Sequence, residues 1–272
     1  IMPSLVGSEM CIRDRDNRIS YIEDTPKERL AKDTIMLAGR ILLESGAEGT
    51  RVEGTMTRIA ETLGFYESNS FVTNTVINFL LDNQTTPRMY RIESRDTNLI
   101  KISQTNSVSR KLSAGKIDLE EAYETLKRIY DAKQTHDLIY KGIAAAIISI
   151  SFLYLQTGNF VDIVATIFAG SLGYLLVEML YRANLKTLFI PEFLGSVVIG
   201  GIAILGHNLV PDGSLSAIII AAVMPIVPGV LITNAIQDLF GGHMMMFTTK
   251  SLEALVTSFG IGAGVGTMLL IF

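Results

Sequence analysis

The chain has 272 residues, and its 23 Lys and Arg against 27 Asp and Glu leave a net charge of -4. A single cysteine excludes an internal disulfide and a cysteine-ligated zinc site. The mean hydropathy of +0.37 averages two unlike parts, because residues 16–141 are densely charged while residues 142–272 carry few charges.

The first residues show no folding pattern. Residues 7–16, "GSEMCIRDRD", have neither helical periodicity nor strand alternation, and they lack the apolar core of a secretory signal. The run "EMCIRDR" resembles an in-frame translation of the transposon end used as a sequencing-library adapter. We therefore interpret residues 1–15 as a disordered artefact, assign no chemistry to Cys11, and expect the native chain to begin at or beyond Asp16. A natural disordered tail is the alternative, and it has the same consequence.

Two helices are predicted next. In residues 25–46, Thr25 is the expected N-cap, Pro26 occupies the first helical position and Gly46 the end, around an apolar face. Residues 50–64, "TRVEGTMTRIAETLG", predict a second helix that also ends at a glycine. The sequence therefore predicts where both helices end as well as their helical periodicity.

Two strands and two more helices complete the charged part. Residues 70–81 and 88–94 are rich in β-branched and aromatic residues on either side of the turn "DNQTTP", so they predict two strands of a small sheet. Residues 97–115 and 118–134 return to helical spacing. This order of elements predicts a small α+β domain over residues 16–136.

Residues 137–272 contain five apolar stretches, each close to the roughly 20 residues that a bilayer core requires. They are Ile139–Leu155, Phe160–Tyr181, Leu188–Leu205, Leu215–Leu239 and Leu252–Phe272. The chain is therefore predicted to be a polytopic α-helical membrane protein, with five transmembrane helices preceded by the α+β domain.

The connections between these stretches alternate in positive charge. The basic ones hold Lys133 and Lys141 before the first span, Arg182 and Lys186 after the second, and Lys250, in "GGHMMMFTTKS", after the fourth. The other two connections contain no Lys or Arg. The positive-inside rule then places the α+β domain in the cytoplasm of a bacterial cell and the C-terminus outside its inner membrane.

The fourth stretch carries the clearest sign of function. Pro225, Pro228 and Gly229 lie near its middle, and proline removes a backbone donor, so a kink or break is expected there. Irregular backbone at membrane depth is tolerated only beside protein or a water-filled cavity. The half-helix that follows points its positive end toward the midplane, an arrangement with which secondary transporters bind anionic groups.

Polar residues follow this break. Asn234 and Asp238 share a helix face, with Gln237 beside it. We take Pro228, Gly229, Asn234, Gln237 and Asp238 as candidates for a substrate path. A structural kink, with Asp238 at the cytoplasmic interface, is the open alternative.

Carboxylates within the spans are candidates for carrying a coupling proton, because an ionised carboxylate in a membrane is costly and tends to be retained for function. Asp238 is the first candidate and Glu178 the second, although Glu178 lies four residues before Arg182, a spacing that favours an ion pair. Glu192, just after Pro191, is interpreted as an ordinary acid in the first turn of a helix.

No nucleotide or metal chemistry is indicated. The sequence has no G-x-x-x-x-G-K-[ST] motif, and His136, His207 and His243 lie far apart without other ligands at useful spacing. The run "GIGAGVG", residues 260–266, is interpreted as a helix-packing face of small residues. We therefore expect no catalytic residues, no metal, no cofactor and no nucleic-acid partner.

Two stretches resemble the threonine/serine exporter (ThrE) family. "GRILLESGAEGTRVEGTMTRIAETLGF" is similar to the opening signature of that family, and "VPGVLITNAIQDLFGG" to its membrane signature. The matching positions are Gly46, Ala47, Arg51, Val52 and Glu53 in the first stretch, and Pro228, Gly229, Asn234, Ala235, Asp238 and Gly241 in the second. The resemblance runs from about Leu30 to the last residue of the chain.

This resemblance implies an inner-membrane carrier that exports small hydrophilic metabolites, typically threonine and serine, and is driven by the proton gradient. Single-chain members join two membrane halves, and only the first is present here. The chain is therefore most similar to the YjjP type, in which a separate and shorter membrane subunit, of four to five spans, supplies the second half. Such pairs are associated with dicarboxylate (succinate) export, so both substrate classes stay open. Whether the chain forms an oligomer is also left open.

The competing interpretation is a membrane-anchored cytosolic enzyme or sensor, in which the spans are only an anchor. An anchor needs one or two spans, whereas five are predicted here and the fourth is broken and lined by polar residues. In the α+β domain, Glu44, Arg51 and Glu53 lie at the helical spacing of surface ion pairs. The sequence therefore favours a transport subunit, bound to lipid, a second subunit and a small-molecule substrate, over an enzyme.

Overall fold

A computed structural model describes residues 24–82, 86–132, 137–156, 158–183, 185 and 187–272. The segment interpreted as an artefact, residues 1–15, lies outside these residues together with Cys11. Lys133, His136 and Lys186 lie outside them as well.

Four helices form most of the N-terminal region (residues 24–132). They are α1 (Pro26–Glu44), α2 (Gly49–Thr62), α3 (Leu99–Ser113) and α4 (Leu119–Asp131). The hydroxyl of Thr25 accepts from the backbone N–H of Glu28 at 3.2 Å, and the Glu28 carboxylate accepts from the N–H of Thr25 at 2.7 Å. This capping box, with Pro26 in the first turn, confirms the predicted start of α1. All four helices predicted before the first span are present.

The sheet has three strands instead of the predicted two. β1 (Asn69–Val72), β2 (Val76–Leu80) and β3 (Arg88–Arg91) pair antiparallel in that order, with Val72 opposite Ile77. The prediction of one strand over residues 70–81 was wrong, because Thr73 closes a tight turn inside it. The N–H of Thr73 donates to the carbonyl of Val76 at 2.8 Å, and its hydroxyl accepts from the Val76 N–H at 3.1 Å.

The core of the N-terminal region lies between the four helices and one face of the sheet. Its fully buried side chains include Ile35, Leu42, Met56, Ile59, Ile77, Phe79 and Leu126. Met246, from the last helix of the chain, is packed into the same core at 1% exposure. The two parts of the protein therefore share buried apolar surface instead of being joined only by a linker.

Residues 137–272 form a helical bundle. Its helices are α5 (Leu138–Leu155), α6 (Ile163–Arg182), α7 (Ile190–Leu209), α8 (Leu215–Val223), α9 (Gly229–Phe240) and α10 (Met244–Ile271). Among the described residues, four stretches are long and apolar enough to cross a membrane, and α8 with α9 makes a fifth if the bent pair is one span. The two axes differ by 63°, and Pro228 is the N-cap of α9. The break expected in the fourth stretch is therefore confirmed.

The last helix begins at Met244, well before the predicted start at Leu252. Lys250, which the sequence placed in a loop, therefore lies inside α10 and is 2% exposed. Met246, in the first turn of this helix, packs into the apolar core of the N-terminal region, a contact that local sequence does not reveal.

Glycines set the close packing of α6, α7 and α10. A Cβ at Gly173 would lie 2.3 Å from Ile199, and one at Gly264 would lie 2.4 Å from the carbonyl oxygen of Phe193. Gly260 packs on the backbone of Phe189, the N-cap of α7, whereas Gly262 and Gly266 face open space. The expected small-residue face of residues 260–266 is therefore confirmed for the two glycines at i,i+4 spacing.

Candidate functional site

The loop between α1 and α2 meets α9. The side-chain amide of Asn234 donates to the carbonyl of Gly46 at 2.7 Å, and the backbone N–H of Gly49 donates to a carboxylate oxygen of Asp238 at 2.7 Å. About 190 residues of chain separate the two sides of these contacts. The two stretches that carried the family resemblance are therefore bonded directly to each other. We call this contact region the junction.

A buried ion pair lies at the centre of the junction. The second oxygen of Asp238 accepts from Lys250 Nζ at 2.6 Å, and both residues are almost fully buried. Lys250 Nζ also lies 3.4 Å from the carbonyl oxygen of Ala47. Two charges buried together are tolerated only with such geometry and additional hydrogen bonds. Asp238 is thus saturated by contacts suited to a carboxylate anion, and its predicted role in proton coupling stays a prediction.

Small residues let the backbones approach at the junction. Gly46 has φ of +82°, a left-handed conformation that glycine adopts without strain. A Cβ at Gly49 would lie 2.7 Å from the sulfur of Met246, and one at Gly241 would lie 2.3 Å from Thr50. The open first turn of α2 also favours a negative partner, because its free N–H groups and the helix dipole point toward Asp238.

The charged signature residues of α2 have defined partners. Glu53 accepts from the N–H of Val72 at 3.0 Å and lies 3.5 Å from the imidazole of His243, so it ties α2 to both the sheet and the turn before α10. Arg51 pairs with Glu48 at 2.6 Å and is partly exposed. A further ion pair, Arg95 with Glu253 at 3.0 Å, joins the N-terminal region to α10.

A cavity of about 600 Å³ opens beside the junction, between the α1–α2 loop, α3 and α9. Four of its lining residues are cationic and only Glu48 is acidic; the cations are Arg51, Arg110, Lys111 and Lys116. Hydroxyl and amide groups of Ser103, Asn106, Ser107, Asn234 and Gln237 complete the polar lining. Such a wall suits a small anionic or zwitterionic ligand. We call it the junction cavity.

The junction cavity brings together four of the residues proposed from sequence, namely Gly46, Arg51, Asn234 and Gln237. The cations of α3 and of the turn after it were missed. Their signal was the basic end of α3, where Arg110 and Lys111 lie in the last turn, but two such residues are equally typical of a solvated helix end.

Other candidates lie elsewhere. Gly229 is at the opposite end of α9 from Asp238, about 14 Å away at 1.5 Å per residue, and a Cβ there would meet open space. The carboxylate of Glu178 accepts from Lys141 Nζ at 2.6 Å and from Arg182 Nε at 3.0 Å. The expected pair with Arg182 is confirmed, and the bond to Lys141 additionally ties α5 to α6.

The comparisons with known proteins agree with one another. The family model described as "Putative threonine/serine exporter" matches residues 33–272. A protein of Mycobacterium tuberculosis (strain ATCC 25618 / H37Rv) described as "Probable threonine/serine exporter" is 19% identical over 248 residues, which are 90% of this chain and 46% of that protein. The chain thus spans about half the length of the curated relative that it matches. No solved structure matches it.

Proposed function

We propose that this chain, which belongs to the threonine/serine exporter family, is one half of a secondary exporter of small hydrophilic metabolites in a bacterial inner membrane. Residues 16–136 form its cytosolic domain and residues 137–272 its five membrane spans. The family is one of exporters, which supports a transport role over an enzymatic one. The observation that carries the proposal is the junction cavity, because it joins the charged domain to the broken span.

The orientation follows from the charge of the connections. Lys141 and Arg182 lie at the ends of their spans that face the N-terminal region, and both contact Glu178 there. The positive-inside rule favours the cytoplasm for that side. The junction cavity then opens toward the cytoplasm, the side from which an exporter takes its substrate.

The charge of the junction cavity points to the substrate class. Threonine and serine are zwitterions without net charge, whereas a dicarboxylate such as succinate carries two negative charges. Arg51 is paired with Glu48, but Arg110, Lys111 and Lys116 form no ion pair with any described residue. Cations that are not paired with a carboxylate of the protein favour a ligand that carries carboxylate groups. A dicarboxylate therefore fits this cavity better than an amino acid.

A second membrane subunit completes the transporter in this proposal. Along α9, Ile232, Ile236, Leu239 and Phe240 are exposed, and their apolar row suits a helix of a neighbouring subunit. The proton gradient is the proposed driving force.

The test measures both binding and transport. The purified full chain is titrated calorimetrically with succinate, threonine and serine, and proteoliposomes containing the chain, with and without the second subunit, are assayed for efflux of the same compounds. We expect succinate to bind most tightly, and Arg110→Gln with Lys111→Gln to weaken its binding about tenfold or more, since two charge-assisted bonds are lost. Arg128→Gln, an exposed cation of α4 outside the junction cavity, is the matched control. Equal binding of succinate by both variants would contradict the assignment of the cavity.

A further inference from the structure

Glu192 is a buried acid inside the helical bundle. It lies in the first turn of α7, yet it is only 4% exposed, in contrast to the ordinary first-turn acid that the sequence indicated. One carboxyl oxygen accepts a hydrogen bond from the hydroxyl of Tyr181 on α6. The other is buried and has no hydrogen-bond partner among the described residues. This carboxyl group is therefore half satisfied.

The charged side chains on the neighbouring helices form ion pairs with residues other than Glu192. On α6, Glu178 is bonded to both Lys141 and Arg182. The remaining titratable residues of α6 are Tyr174 and Tyr181. On α10, Lys250 is paired with Asp238 and Glu253 with Arg95. α8 carries no titratable side chain. Within the described residues, Glu192 therefore has no cation within ion-pair distance to hold it in the charged form.

The two oxygens of this carboxyl group have different surroundings. The Tyr181 hydroxyl donates to one oxygen, whereas the other is buried without a partner among the described residues. One turn further along α7, the hydroxyl of Ser196 is also buried without a partner. The open oxygen of Glu192 accepts no hydrogen bond, so a proton can bind there without displacing an existing one. Each oxygen of Asp238, by contrast, already accepts a hydrogen bond from a buried donor.

We infer that Glu192 is the proton-binding residue of the helical bundle, and that its proton, not one on Asp238, accompanies export. The coupling role rests on the proton-driven export proposed above. Tyr181 acts as a positioning residue, because its hydroxyl holds one carboxyl oxygen and leaves the other open. In the step itself, the open oxygen takes one proton from hydronium, which becomes water, and the carboxylate becomes a neutral acid. The acid later returns the proton to water, and no other bond is formed or broken.

Infrared difference spectroscopy tests the proton site without requiring transport. Spectra of the purified full chain are recorded across the pH range in which it stays folded, in H₂O and D₂O. We expect a carbonyl band of a protonated buried carboxyl group that titrates, is lost in Glu192→Gln and shifts in Tyr181→Phe. Glu124→Gln, which removes an exposed acid of α4 outside the helical bundle, should leave the band unchanged. If the band persists in Glu192→Gln, the inference is overturned.

Efflux measurements test the coupling. With the second subunit present, Glu192→Gln should lose most of the response of the efflux rate to the proton gradient, because the amide cannot titrate. Full gradient dependence in Glu192→Gln would overturn the inference, even though the exporter works. If the parental protein exports nothing, the proposed function fails, and the infrared band alone then decides whether Glu192 binds the proton.

Discussion

The junction and the helical bundle each bury a carboxylate, and they treat it in opposite ways. At the junction, Asp238 is bonded to Lys250 and to the N–H of Gly49, so both of its oxygens are satisfied. In the bundle, Glu192 has only the Tyr181 hydroxyl, and one oxygen is left open. The difference teaches that burial of an acid does not identify a proton carrier. In our proposal, the carboxylate with both oxygens bonded stabilises a contact, whereas the one with an open oxygen binds the proton.

Breaking the ion pair between Lys250 and Asp238 should have the largest effect on stability. Lys250→Met leaves Asp238 buried without its cation, so we expect a loss of about 3 to 5 kcal/mol in the free energy of unfolding. The measurement is denaturant unfolding of the purified full chain in one detergent. The double variant Lys250→Met with Asp238→Leu should recover most of the loss, because no charge is then left unpaired. A parental stability for Lys250→Met alone would show that Asp238 does not depend on Lys250.

Crowding the junction should have the next largest effect. Gly49→Val places a side chain where a Cβ alone would lie 2.7 Å from Met246, so we expect a loss of about 1 to 3 kcal/mol in the free energy of unfolding. Amide hydrogen exchange of α9 should also become faster, because the bond between Gly49 and Asp238 is strained. Gly54→Ala is the matched control on the same helix, since nothing lies within 4 Å of its Cβ position. Equal exchange rates in the two variants would argue against a tight junction.

Glu178 provides an intermediate case, because it is paired with two cations but is partly exposed to solvent. Glu178→Gln should cost about 1 kcal/mol or less in the free energy of unfolding, since solvent and salt screen exposed pairs. The loss should shrink when the same unfolding measurement is repeated at high ionic strength. A loss that does not change with salt would mean that the Glu178 carboxylate belongs with the buried ion pair of the junction.

Glu192→Gln should have the smallest effect on stability. The amide keeps an oxygen for the Tyr181 hydroxyl and removes a charge that no cation compensates, so the free energy of unfolding should change by less than about 1 kcal/mol. The unfolding measurement used for Lys250→Met gives the direct comparison. A loss as large as that of Lys250→Met would place Glu192 among the saturated structural carboxylates and remove the contrast between the two sites.

Part of this protein could be predicted from local sequence. The N-cap at Thr25, the apolar spans and the break before Gly229 were all predicted, because each depends on neighbouring residues in the chain. The ion pair of Glu178 with Arg182 was predictable for the same reason, since both lie one turn apart on one helix. The division of residues 70–81 into two strands was missed, although its cause, the Thr73 turn, is also local and could have been recognised as turn chemistry.

The chemistry of the site was decided by tertiary structure. The sequence singled out Gly46, Arg51, Asn234 and Asp238, but it could not show that the α1–α2 loop and the first residue of α2 are bonded to α9. Lys250 was placed in a loop, and Glu192 was interpreted as an ordinary acid of the first helical turn, because single-sequence patterns carry no information about burial by distant helices. Periodicity and capping are determined by residues a few positions apart. The partner of a buried charge is determined by whichever distant segment packs against it, and only the folded chain specifies that segment.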